Sequence, residues 1–175
     1  MPAFYGNGTL KVGASSASGD SNGLDHMNTD RMASNAIDVV RAFIAAINRR
    51  NPAEISALMT DDRTFVDSGG RVLSGRQTMT TGWIGYFRMF PDYEIRVASV
   101  FADNQRVAVF GSAAGTYNGK RGLVSENRIE MPAAWQAIVT DGKIKHWQVY
   151  ADWTEGCRII DEDQRTGRNR ALGSA

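Results

Sequence analysis

The stretch MTTGWIGYFRMFPDYEIRVASV, residues 79–100, decides the fold class. Met79, Trp83, Phe87 and Phe90 recur at the spacing of one helical face, with Tyr86 beside them. Pro91 forbids continuation of that helix. Beyond it, Tyr93, Ile95 and Val97 alternate with Glu94 and Arg96. A period of 3.6 thus gives way to a period of 2 within a few residues. The spacing predicts a helix over 75–90 and a strand over 93–102.

Upstream, Thr64–Asp67 and Arg71–Ser74 flank Ser68-Gly69-Gly70, a hairpin signal. Asn51-Pro52-Ala53-Glu54 opens a helix with an N-cap, a first-turn proline and a capping-box glutamate. Its buried face would be Ile55, Leu58 and Met59, and Asp61-Asp62 would close it. Ile37, Val40, Ile44 and Ile47, broadened by Val39 and Phe43, predict a helix over 34–48. Downstream, Arg106–Tyr117, Asn127–Val139 and Lys143–Trp153 read as long strands, joined by turns at Asn118-Gly119 and Asp141-Gly142. Pro132 predicts a bulge or an edge. Helices first and strands afterwards mean α+β rather than alternating βαβ units. A strongly twisted sheet can curl around helices into a cone with a cavity at its wide end.

The chain has 175 residues, enough for one domain with a real core. Residues 1–28, rich in Gly, Ser and Asn, read as a disordered N-terminal extension or tag. Residues 29–157 form the domain, and 158–175 a tail, expected as a short helix or loose coil. Twenty Lys and Arg against 19 Asp and Glu give a net charge of +1, which argues against nucleic acid or an anionic membrane as partner. No apolar run reaches the roughly 18 residues of a membrane span. The single cysteine, Cys157, excludes an internal disulfide and fits a reducing compartment, so the expected location is cytoplasmic.

Gly111-Ser112-Ala113-Ala114-Gly115 lacks the dinucleotide fingerprint and suits a sharply bent strand or a close backbone approach. His26 and His146 are too few and too scattered for a catalytic zinc site, so neither metal nor cofactor is expected. Cys157 has no activating neighbour, and no nucleophilic triad is visible. Trp83, Tyr86 and Phe87 on the third helix, with Trp135, Trp147 and Tyr150 on the last two strands, can either converge on a cavity or simply pack the core. Asp67 ends a short apolar strand. It is either a proton acceptor beside a cavity or a turn carboxylate bonded to the amides of Gly69 or Gly70. Asp152, at the end of the last strand, is the second carboxylate candidate.

Three segments carry a family resemblance: VVRAFIAAINRRNPAEISALMTDDRTFVDSGG (39–70), LSGRQTM (73–79) and IVTDGKIKHWQVYADW (138–153). In this order the chain resembles the nuclear transport factor 2-like superfamily, in its SnoaL-like polyketide cyclase and ketosteroid isomerase-like branch. The resemblance implies a cone-shaped, cystatin-like α+β barrel: a curved antiparallel or mixed sheet wrapped around three N-terminal helices. It also implies a deep apolar pocket and a homodimer packed through the sheet. The general-base aspartate of ketosteroid isomerase falls on Asp67 and a pocket aromatic on Trp83. The isomerase's tyrosine donor is replaced by Phe43, and its acidic donor falls near Ala134. The last-strand aspartate of the cyclases and epoxide hydrolases falls on Val149.

The expectation is therefore a small-molecule pocket protein, acting as a cofactor-independent isomerase or cyclase. Asp67 would take a proton from an apolar carbonyl compound. Phe43, Met59, Trp83, Tyr86, Phe87, His146, Trp147, Val149, Tyr150 and Asp152 would line the pocket. The alternative is a non-catalytic ligand-binding or dimeric interaction module. The expected partners are a small apolar molecule and a second copy of the chain.

Overall fold

The computed structural model describes residues 21–172, with side chains described over 27–165. In chain order the elements are α1 (Ser21–Asn48), α2 (Pro52–Ala57), β1 (Met59–Val66), β2 (Val72–Ser74) and α3 (Arg76–Met89). Then follow β3 (Glu94–Asp103), β4 (Arg106–Thr116), β5 (Arg128–Thr140), β6 (Lys143–Ala151) and α4 (Thr154–Leu172). The strands form one curved, unclosed mixed sheet in the order β2-β1-β6-β5-β4-β3. All neighbours are antiparallel except β1 and β6, which run parallel. Helices and strands are segregated along the chain, as the α+β reading expects.

Strand alternation decides what enters the core. On β5, Ile129, Met131, Ala133, Trp135, Ala137 and Val139 are all buried, and the residues between them face outward. On β6, Ile144 and Trp147 turn the same way. Against this face α1 lays Ala36, Val40, Phe43 and Ile47, and α3 lays Met79 and Trp83. The bend in the sheet has a local cause. A Cβ at Gly111 would lie 1.9 Å from the Arg96 carbonyl oxygen. Only glycine lets β4 come that close to β3, whose register shifts between Val97 and Ser99. The Asp141-Gly142 turn forms with both φ angles positive, as a tight hairpin requires.

Five expectations change. Helix α1 starts at Ser21 rather than Ser34; Met27 and Met32 are exposed, so its early turns show no apolar stripe to read. Residues 1–20 lie outside the described residues. Helix α2 keeps its capping pair, with Asn51 Oδ1 accepting from the Glu54 amide at 3.2 Å, but ends at Ala57. Met59 through Asp62 belong to β1, because the parallel ladder to β6 begins at Met59↔Ile144. Asn118-Gly119 is not a two-residue hairpin, since a loop and a 3₁₀ turn at Ser125–Asn127 separate β4 from β5. Pro132 lies in an interior strand, one residue past the end of the β5–β6 ladder at Ala133↔Ala151, where a missing N–H matters least. The tail is a long helix, α4, docked by Gly156, Ile159 and Asp163, which share one buried face.

Candidate functional site

Strand β1 sends one charged side chain into the interior. Arg63 is fully buried. Its guanidinium carbon lies 4.8 Å from the centre of the Phe43 ring on α1. That ring meets Trp147 edge-on at 5.1 Å, and Trp147 stacks with Trp135 at 6.4 Å. Nη1 of Arg63 donates to the Met59 sulfur. Nε and Nη2 have no hydrogen-bond partner among the described residues. The two acids preceding it turn outward: Asp61 pairs with Arg76 at 2.5 Å and Asp62 pairs with Lys145. Burial without an anion pulls the guanidinium pKa down to about 9, still protonated at neutral pH. The backbone of Arg63 is fixed as well, because the Gly75 amide donates to its carbonyl at 2.8 Å.

Helix α3 supplies the other wall. Trp83 stacks on Phe87 at 5.3 Å and meets Tyr86 edge-on at 5.8 Å. The Trp83 indole nitrogen is buried without a partner among the described residues. Tyr86 packs against Tyr93 with centroids 4.9 Å apart. Burial, reinforced by Tyr93, drives the Tyr86 phenol well above its ordinary range, and burial drives Tyr93 up to about 12. Both phenols are therefore neutral donors at any physiological pH. A hollow of about 10 Å³ lies among Tyr86, Phe90, Tyr93, Gly115, Met131 and Trp153. That is room for one water molecule at most. The deep open pocket implied by the family resemblance is not seen there, because the aromatic side chains fill the space. A separate surface groove of about 430 Å³ runs between α1 and β3, past Arg41, Ile44, Asn48 and Val97.

Of the residues read from the sequence, Phe43, Met59, Trp83 and Trp147 are buried in the core, with Tyr86, Phe87 and Val149 packed against it. Three others lie elsewhere. His146 lies on the opposite face from Trp147, its Nδ1 2.8 Å from the Thr64 hydroxyl. Tyr150 is half exposed, its hydroxyl 3.2 Å from Gln136 Oε1. Asp152 accepts from the Thr154 amide at 2.9 Å, and the Thr154 hydroxyl and amide hold its carboxyl below the usual range. Its position binds it to the start of α4. Asp67 sits half-buried at the end of β1. Its Oδ1 accepts from the amides of Gly69 and Arg71, each at 2.9 Å. Its Oδ2 makes no hydrogen bond among the described residues.

Arg63 is the residue that sequence reading passed over. The signal was present: in a strand, Arg63 and Phe65 share a face. Reading Asp61-Asp62 as a helix end hid that alternation. Among the described residues no cluster of three or more His, Cys, Asp or Glu is placed to hold a metal ion. No described helix is long and apolar enough to cross a membrane.

The likeness to known proteins follows the fold. An epoxide hydrolase of the LEH-like type from M. tuberculosis superposes with a TM-score of 0.62 at 19% identity, covering 75% of this chain and 93% of its own. A ketosteroid isomerase-like fold protein from Catenulispora acidiphila, solved with trimethylamine, gives 0.56 at 20% identity, over 64% of this chain and 83% of its own. An NTF2-like protein from Cytophaga hutchinsonii gives 0.53 at 20% identity, over 67% and 90%. At such identities the likeness establishes the fold alone. No curated protein matches the chain. The SnoaL-like domain profile matches residues 40–147, from the buried core of α1 to Trp147 on β6. The chain belongs to the SnoaL-like domain family.

Proposed function

We propose that this chain binds one small, largely apolar molecule between α3 and the inner face of the sheet, where the side chains that now fill the space move aside to admit it. The observation that supports this is that two of the buried donors without partners among the described residues, the Trp83 indole and the Arg63 guanidinium edge, belong to an aromatic interior. A core serving stability alone has no use for such groups, since an unmet buried donor costs about 1–3 kcal/mol. Trp83, Tyr86, Phe87, Trp147 and Val149 would bear on the ligand. The relative bound to trimethylamine is consistent with a small guest in this fold. The test is native mass spectrometry of the purified protein together with thermal melting against small aromatic ketones. Co-purified or added compounds that raise the midpoint support the reading. Indifference to every compound, with nothing co-purified, removes it.

A catalytic version rests on Asp67. Two backbone amides fix one of its oxygens, and among the described residues the other makes no hydrogen bond. Such an oxygen can take a proton from a carbon acid beside a carbonyl, which is isomerase or cyclase chemistry without a cofactor. Its test is Asp67→Asn, an isosteric change that removes the basic oxygen. Unchanged turnover of a responsive substrate would sink it.

The outer sheet face supports a homodimer. Phe110, Ala134 and Tyr150 stand in one cross-strand row, and Phe101 packs on Phe110 at 6.1 Å. Phe101 and Phe110 are 63% and 48% exposed, an apolar patch that a second copy would cover.

A further inference from the structure

Arg63 differs from every other charged group in the described interior. A strand position facing aromatic rings is filled at lower free energy by an apolar residue, because a desolvated guanidinium without a counter-ion loses its hydration with nothing of equal strength in return. Nearby acids could have supplied that counter-ion, yet Asp61 and Asp62 are engaged at the surface by Arg76 and Lys145. Among the described residues the one contact of the guanidinium head through a polar atom is Nη1 to the Met59 sulfur, a weak acceptor. What remains is an edge, Nε and Nη2, with no partner. These two nitrogens belong to one planar fork. Their N–H groups can meet the two oxygens of one carboxylate in a bidentate pair.

We propose that Arg63 is the anion-recognising group of the interior site, and that the ligand class is a small carboxylate with an otherwise apolar, aromatic body. This deepens the interior-pocket reading and rests on it. Both halves of the ligand have counterparts in the chain. The carboxylate answers the free edge of the guanidinium. The aromatic body answers Phe43, which lies under the guanidinium, and the rings continuous with it, Trp147 edge-on to Phe43 and Trp135 stacked on Trp147. A neutral ketone offers one acceptor oxygen and no charge, so it leaves one donor unmet. Pairing in a water-excluded site is also where a charge-assisted bond is strongest. Arg63 is fully buried, so the ligand gains access by displacing side chains.

The experiment uses the full chain and two matched pairs of probes: benzoate with acetophenone, and naphthalene-2-carboxylate with 2-acetylnaphthalene. Affinities are read by calorimetry and by thermal shift on wild type, Arg63→Met and Arg63→Lys. Wild type is expected to prefer each carboxylate over its ketone by on the order of tenfold or more, the worth of a charged hydrogen bond. R63M is expected to lose that preference while still binding the ketones, and to melt no lower than wild type. R63K keeps the charge without the planar fork and is expected to keep only part of the preference. Equal binding of carboxylate and ketone by wild type overturns the assignment of Arg63 and leaves the pocket reading in place. So does a preference that survives in both variants, or a marked fall in the R63M midpoint, which would give the guanidinium a structural role. Failure of all four probes to bind wild type overturns both readings.

Discussion

The guanidinium of Arg63 stands over the ring of Phe43, with 4.8 Å between its central carbon and the ring centre. The ring's negative face attracts that cation, beside the weak acceptor of the Met59 sulfur, and buried contacts of this kind are worth about 1–2 kcal/mol. Phe43 also holds Trp147 edge-on. Phe43→Leu should therefore destabilise the protein by about 1–3 kcal/mol in urea denaturation, through lost packing and a lost cation contact. In an Arg63→Met background the same change should cost less, by about 0.5–2 kcal/mol, because the cation is already gone. Strict additivity of the two changes would show that the ring and the guanidinium ignore each other.

Helix α4 is held by a buried carboxylate. Asp163 is 1% exposed and accepts from the amides of Lys120 at 2.7 Å and Arg121 at 3.1 Å, with the Arg121 guanidinium at 3.5 Å. Burial opposes its charge, but the two amides and the guanidinium outweigh that and hold its carboxyl below the ordinary value. A depressed folded-state pKa means that the unfolded chain takes up the proton first as pH falls. Its stabilising contribution is thus complete above the unfolded value of about 4 and is lost as pH falls from there through the folded-state value. Asp163→Asn should lower the melting temperature at pH 7 and reduce the loss seen on acidification below about pH 4. Parallel melting-versus-pH curves for the two proteins would contradict this. Asp163→Ala, which leaves two amides unmet, should cost about 2–3 kcal/mol at neutral pH.

Much of this architecture was readable from short-range pattern. The period change across Pro91 located α3 and β3, and Asn51 with Glu54 marked the start of α2 through hydrogen bonds made within four residues. What escaped depends on partners distant in sequence. Met59 joins a strand because Ile144, 85 positions on, lies beside it. Asp163 is buried because it meets the 120–121 loop, some 40 residues earlier, so the tail's amphipathic helix had no visible mate. The site was legible by type more than by direction. Trp147 and His146 are neighbours in sequence, yet one faces the core and the other Thr64. A single register step separates those outcomes.

Gly111 tests the origin of the sheet's bend. A methyl group there would meet the Arg96 carbonyl oxygen at 1.9 Å, which no rotamer change relieves because the obstacle is backbone. Gly111→Ala should cost about 3 kcal/mol or more, as backbone strain beside a bulge does. By comparison, Gly82→Ala, in a helix with open space around the new Cβ, should be neutral or stabilising by up to about 1 kcal/mol. Urea denaturation of both proteins checks the contrast. Equal stability of the two variants would remove the close approach as the cause.

Tyr150 separates the two faces of the sheet in one measurement. It lies beside Ala134 and, across that residue, Phe110, all in one row on the outer surface. Val149, one residue earlier, pairs with Trp135 and packs on the core. Tyr150→Asp puts a charge on the apolar row without touching the interior. The expected result is a shift from dimer to monomer in sedimentation at micromolar concentration, with interior ligand binding within about twofold of wild type. Val149→Asp buries that charge among the core aromatics and should destabilise the fold by several kcal/mol. A monomeric wild type, or a Tyr150→Asp protein that stays dimeric, would disprove the outer-row interface. Loss of ligand binding in a folded Tyr150→Asp dimer would instead return Tyr150 to the pocket.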